Sequence, residues 1–197
     1  MDAPVGVFSE ARAFRHVDTV CGFGMPRTAG SHANEVLTVG YLLGEVHKMV
    51  RLSELPGSPV DIEVDVHKVN GSFDLDFLDG FESIYANITN IALRITPNGS
   101  ANKDRMPATL LSAHFDAAIG SLGASDDMAA VAVLLESLRA LVQSRDHDPP
   151  RNALVLLLNG AEENVLQAAH GFVSHGWMDN VHVFLNIEAA GAGMREM

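Results

Sequence analysis

Positive charge is scarce in this chain: 13 Lys and Arg stand against 25 Asp and Glu in 197 residues, a formal net charge of −12. That balance argues against a nucleic acid or an anionic membrane surface as partner, since both are held by cationic side chains. Cysteine is nearly absent. Cys21 stands alone, so no internal disulfide can form, and its place in a helical pattern fits a buried apolar position with no thiolate chemistry. No apolar run reaches the roughly 18 residues that a membrane helix needs. The start, Met1-Asp2-Ala3-Pro4, lacks the basic and apolar regions of a signal peptide. The zinc-protease spacing HExxH is missing, and His170 and His175 are too far apart in number to share a helix face. Internal repeats and low-complexity tracts are missing as well.

What is present reads as a single α/β domain spanning residues 1–197. Hydrophobic residues make up 47% and charged residues 19%, which suits a chain with one real core. Ser9 caps a helix whose apolar positions are Ala13, Phe14, Val17, Val20 and Cys21, ended by Gly22 and Gly24. A turn-rich stretch with Pro26 and Gly30 comes next, and Arg27 in it is expected to pair with an acidic neighbour. Ser31 then caps a longer helix buried along Val36, Val39, Leu43, Val46 and Val50, with His47 beside that stripe as a structural residue. Val60, Ile62, Val64 and Val66 alternate with Asp61, Glu63, Asp65 and His67, which predicts a strand with one solvated polar face. Phe73, Leu75 and Phe77 predict a second strand and Ile88 to Ile95 a third.

Three later runs are continuously apolar: Thr109–Ala113, Ala153–Leu158 and Val181–Leu185. Alternating with helices at Asp127–Leu141 and Val165–His175, they predict buried parallel strands. The expected architecture is a mixed, mostly parallel central sheet with helices on both faces. Ser144 to Asn152 reads as a loop, and Gly191 to Met197 carries no structural signal.

Each of these three strands ends in acidic or metal-ligating residues. The first runs into His114-Phe115-Asp116 and then Gly123-Ala124-Ser125-Asp126-Asp127, the second into Asn159-Gly160-Ala161-Glu162-Glu163, the third into Asn186-Ile187-Glu188. In open α/β sheets, ligands bind at the carboxyl ends of the strands. That many carboxylates in low-dielectric surroundings repel one another unless cations neutralise them. His with Asp and Glu suits a borderline divalent metal, zinc above all.

These motifs resemble the metal-site motifs of the co-catalytic dizinc aminopeptidase family, with the strongest likeness to its endoplasmic reticulum metallopeptidase branch. The resemblance extends through Pro26-Arg27-Thr28-Ala29-Gly30-Ser31, Asn34-Glu35, Gly71-Ser72-Phe73, Asn87-Ile88-Thr89-Asn90 and Asn164 to Phe172. It implies the zinc-exopeptidase fold and a peptide substrate. It implies that Asp126 bridges two zinc ions, that His114 and Glu188 complete the first, and that Glu163 binds the second. Glu162 would be the general base. Asp116 would sit behind His114 and fix its tautomer, and Asp127 would orient the turn. Met128 stands where the family usually has a small residue. The resemblance further implies a last zinc-binding histidine beyond the Glu188 motif. No histidine follows His182 before Met197, so the expectation is a partial catalytic domain, incomplete at its C-terminus, with one well-formed zinc site and a second, weak one.

Two other readings compete. One is a non-catalytic scaffold or receptor-type member of the same fold; the other is a single-zinc acyltransferase of the glutaminyl-cyclase type. The filled ligand positions and the bridging-type Asp126 favour the peptidase. Sequons at Asn70, Asn87 and Asn98 support a lumenal face. The resemblance implies an endoplasmic reticulum membrane location, the parent protein being membrane-anchored and its catalytic domain lumenal.

Overall fold

The computed structural model describes residues 3–144 and 148–189. The segment Gly191 to Met197, which carries no structural signal in the sequence, lies outside the described residues, as does part of the Ser144 to Asn152 loop.

Helix α1 (Glu10–Cys21) opens at Ser9, whose hydroxyl accepts the Arg12 N–H. Ala13 and Val20 are buried on it, whereas Phe14 is largely exposed and Cys21 only half-buried. A π-helical turn (Ala33–Thr38) leads into α2 (Val39–Ser53). Its extra residue rotates the apolar stripe, so that Leu42, Val46 and Met49 are buried, Val39, Leu43 and Val50 are flanking, and Val36 faces solvent with His47.

The first two predicted strands are one. Strand β1 (Val60–Leu75) runs unbroken through Gly71 and forms a long antiparallel hairpin with β2 (Phe81–Pro97). The register shifts between Val69 and Gly71, a bulge that the two alternating runs in the sequence straddle. Gly71 has room only for a hydrogen, since a Cβ there would lie 2.5 Å from the Tyr85 hydroxyl. Phe77 falls in the 3₁₀ turn Asp76–Leu78. Then come β3 (Ala108–His114), α3 (Ala129–Gln143), β4 (Ala153–Asn159), α4 (Gln167–Phe172) and β5 (Val181–Asn186).

The sheet order is β1-β2-β4-β3-β5, antiparallel across β1, β2 and β4, parallel across β4, β3 and β5. Helices cover both faces. Val20, Leu42, Val46, Val131, Leu135 and Leu138 pack with Ile91, Leu93, Ile95, Leu156 and Leu158 on one side. Phe172 of α4 packs with Ala92, Leu110, Val155 and Leu157 on the other. Each such fully buried side chain contributes about 1.5–3 kcal/mol. Met128 is one of them, seated in the larger cluster.

Two sequence expectations fail on the α4 side. The polar face of β1 is not solvated: Asp65 and His67 are half-buried, whereas Val66 is exposed, because the connection after α4 folds over that face. Helix α4 is also shorter than predicted. Val165 and Leu166 both adopt φ of +61°, which ends any helix before Gln167.

Candidate metal centre

Strands β3 and β4 end level, with His114 paired to Asn159, and β5 runs parallel beside β3. The loops leaving the three strands therefore share one end of the sheet. His114 is buried at the tip of β3, and its backbone N–H donates to the Asp127 carboxylate at 3.2 Å. Asp126 and Asp127 leave helical geometry inside the turn that precedes α3, at φ/ψ of −119°/95° and −130°/28°. This break turns Asp126 outward while Asp127 stays buried.

His114 Nε2 lies 3.0 Å from Asp126 Oδ1, 3.2 Å from Glu188 Oε1 and 3.9 Å from Glu162 Oε2. His114, Asp126 and Glu188 thus converge as three donors. Behind the ring, Asp116 Oδ1 lies 3.2 Å from Nδ1. Asp116 also accepts the N–H groups of Glu162 at 3.0 Å and Glu163 at 3.1 Å. One buried carboxylate therefore orients the imidazole and holds the strap that carries both glutamates. With Nδ1–H directed at Asp116, the Nε2 lone pair faces the other donors. The Glu163 side chain is half-buried and lies outside the convergent triad.

The electrostatics ask for a cation. Burial opposes protonation of His114, yet its hydrogen bond to Asp116 and the charges of Asp116, Asp127 and Glu188 raise its pKa to about 10. Burial, aided by Glu188 and Asp126 against the hydrogen bond from His114, pushes Asp127 up to about 7. Glu162 is raised as well, first by burial and then by Glu188, Asp116 and Glu163. One imidazole with two carboxylates is the donor set of an open zinc site, and the same field that retains a proton on His114 would favour the ion in its place.

Sequence reasoning missed three supports. Among the described residues Arg27 forms no ion pair with an acid. It is fully buried and donates to the backbone carbonyls of Phe115 (3.0 Å), Leu122 and Gly123 (3.1 Å), bracing the loop between Asp116 and Asp126. Buried Asn34 donates to the Gly160 carbonyl at 2.9 Å. Gly160 itself admits no side chain, since a Cβ would lie 2.5 Å from the Phe115 ring. The Pro26 to Ser31 and Asn34-Glu35 stretches were visible, but nothing in them names a carbonyl partner.

Comparison with known proteins agrees with this geometry. Residues 90–197 match the family described as Peptidase family M28. The chain is 43% identical over 194 residues to endoplasmic reticulum metallopeptidase 1 of Mus musculus, covering 98% of this chain and 20% of that protein. It is 31% identical over 172 residues to a vacuolar membrane protease of Pyrenophora tritici-repentis, covering 84% of this chain and 17% of that one. The chain thus spans about a fifth of the length of these relatives. Among solved structures, the LapA aminopeptidase of Legionella pneumophila aligns with a TM-score of 0.67 at 15% identity, covering 92% of this chain and 42% of that chain. Porphyromonas gingivalis glutaminyl cyclase aligns at 0.60 and 18% identity, over 93% and 60%. At such identities the likeness is one of fold.

Proposed function

The chain belongs to peptidase family M28, and from that premise we propose that it serves a zinc-dependent exopeptidase, an aminopeptidase, with Glu162 as general base. The observation that carries the reading is the convergence of His114, Asp126 and Glu188 with Glu162 Oε2 3.9 Å from the imidazole. Zinc held by those three residues would supply Lewis acidity and a water of lowered pKa.

The remaining work falls to the chain. Glu162, with a pKa raised by burial, is suited to take a proton from the attacking water and return it to the leaving amine. Asp116 keeps the Glu162 backbone and the His114 ring in fixed relation. Asp126, the most exposed of the triad, and Glu163 would hold a second zinc, which would add to the Lewis acidity of the site. The substrate is a peptide. We place the protein in the endoplasmic reticulum membrane with this domain lumenal, supported by the names of the relatives and by exposed sequons at Asn70, Asn87 and Asn98.

The test is Glu162→Gln in the full-length protein. Turnover of an aminoacyl anilide should fall about 10²–10⁴-fold with zinc content unchanged. Near-normal turnover, or loss of the metal on this substitution, would reject the assignment.

A further inference from the structure

On the sheet face covered by α4, a second set of donors meets. Asp65 and His67 of β1 face His175, in the turn after α4. Asp65 Oδ2 lies 2.8 Å from His175 Nε2 and 3.2 Å from His67 Nδ1, and one donor atom from each residue falls within 4.8 Å of the others. The His114 centre has the same spacing, 3.0 and 3.2 Å from Nε2 to its carboxylates. Ligand atoms around a tetrahedral zinc with bonds of about 2.0–2.1 Å stand about 3.3 Å apart, so this set also closes on an ion with small adjustments.

His67 distinguishes the cluster from an ordinary ion pair. Both its ring nitrogens are buried, and neither makes a hydrogen bond among the described residues, although Nδ1 lies beside the Asp65 carboxylate. Burial lowers its pKa, the charge of Asp65 opposing and His175 adding to the effect. The rings are also set in place beforehand. His67 and His175 stack at 5.0 Å and 26°, and Phe172 stacks on both, at 5.9 and 4.8 Å. Two imidazoles and one carboxylate suit zinc, copper or nickel, whereas calcium and magnesium prefer oxygen donors.

We propose that Asp65, His67 and His175 form a second divalent-metal site, taking zinc with water as the fourth ligand, that staples β1 to the connection between Glu163 and Glu188. It is separate from the His114 centre and needs none of its residues.

Binding leaves a mark on the neighbouring turn. His175 Nδ1 accepts the Trp177 N–H at 3.1 Å, which places the ring proton on Nε2, toward Asp65. Ligation through Nε2 requires that proton to move to Nδ1, with no net release, and the Trp177 N–H then loses its acceptor. The Trp177 ring packs edge-on against His175 at 4.9 Å and is the sole tryptophan in the chain. Its fluorescence reports on this site.

The experiment titrates zinc, against a competing chelator, into a His114→Ala, Asp126→Ala variant, which removes two of the three donors of the other centre. We expect one zinc per chain at micromolar affinity or tighter, with a Trp177 emission change that saturates at one equivalent. Adding His67→Gln should weaken binding by at least about tenfold and remove the emission change, on the scale of losing a coordination partner. Retention of full affinity with His67→Gln overturns the proposal, and so does binding no tighter than about 100 μM before it, which lies well outside the range of protein zinc sites. Should that variant unfold by circular dichroism, cobalt added to the His114→Ala, Asp126→Ala protein decides the matter. Paramagnetic shifts on the His67 and His175 ring protons support the site, and unshifted rings reject it.

Discussion

Arg27 Nη2 donates to the Gly123 carbonyl at 3.1 Å, and a methyl group placed on Gly123 would sit 2.8 Å from that same nitrogen. The two residues therefore specify each other. Gly123, at φ +57°, leaves the volume that a fully buried guanidinium fills, and the guanidinium ties down the loop from which Asp116 and Asp126 project. Burial lowers the Arg27 pKa, opposed by Cys21 and Asp116, and its bonds to the Phe115 and Gly123 carbonyls are buried.

Arg27→Met should destabilise the fold by about 3–5 kcal/mol, since an unsatisfied buried polar group costs about 1–3 kcal/mol and several carbonyls are orphaned together. Urea unfolding should show a lower midpoint at unchanged slope. Arg27→Lys should recover only part of the loss, because an ammonium cannot reproduce the planar fork. Zinc content should fall in both.

Asp116→Asn tests the shared carboxylate. The amide oxygen can accept only one of the two strap N–H groups and lacks the charge that holds Nδ1–H, so zinc affinity should drop by about 10–100-fold while the far-ultraviolet spectrum stays unchanged. Chelator competition measures this. An unaltered affinity would mean that the His114 tautomer is set by something else.

Glu136 predicts an acid dependence of stability. It is fully buried, accepts the Ser9 N–H at 2.8 Å, and pairs with Arg12 at 3.1 Å and Arg139 at 2.6 Å. Burial raises its pKa, but Arg139, the Ser9 N–H and Arg12 outweigh that, and the folded value lies below the ordinary one. A lowered folded pKa means that the stabilisation is complete above the unfolded pKa, about 4.3, and is lost as pH falls through the folded value. Glu136→Gln should cost about 3–5 kcal/mol at neutral pH, and the gap to the unaltered protein should shrink in acid. A gap constant down to the acid limit would count against the ion cluster.

Asn70, Asn87 and Asn98 are exposed, and the Asn87 N–H donates to Asn70 Oδ1 at 2.9 Å, which puts two sequons side by side on the hairpin. Expressed through a secretory route, the protein should carry glycan on at least one of the three. Mobility unchanged by an endoglycosidase, with all three asparagines unmodified by mass spectrometry, would remove this support for a lumenal face.

The strand-ending acids were legible in the sequence because a buried parallel strand is a continuous apolar run, and the polar residues that interrupt it fall at its tip. His114 and Glu188 stand out as candidates for that reason, whereas the set of His114, Asp126 and Glu188 as ligands is what the family resemblance implies. The β1 bulge was not legible: alternation on either side of it looks like two strands whether or not the backbone runs on. Nor was the start of α4, since a branched residue such as Val165 gives no local hint of a left-handed conformation. Arg27 was misread because a carbonyl partner has no side-chain signature. The meeting of Asp65 with His175 joins residues 110 apart, beyond the reach of any periodicity.

The position of β5 gives the centre a schedule. Among the described residues it pairs only with β3, at the margin of the sheet, and the segment just after it delivers the last of the three converging donors. A chain leaving the ribosome presents His114 and Asp126 first and Glu188 much later, at about 5–20 residues per second. Until then the nascent polypeptide has only two of these ligands in hand and little hold on an ion. Capture of zinc would thus coincide with the docking of this margin strand, so that the metal is acquired by a sheet already laid down and not by an intermediate that could be trapped around it.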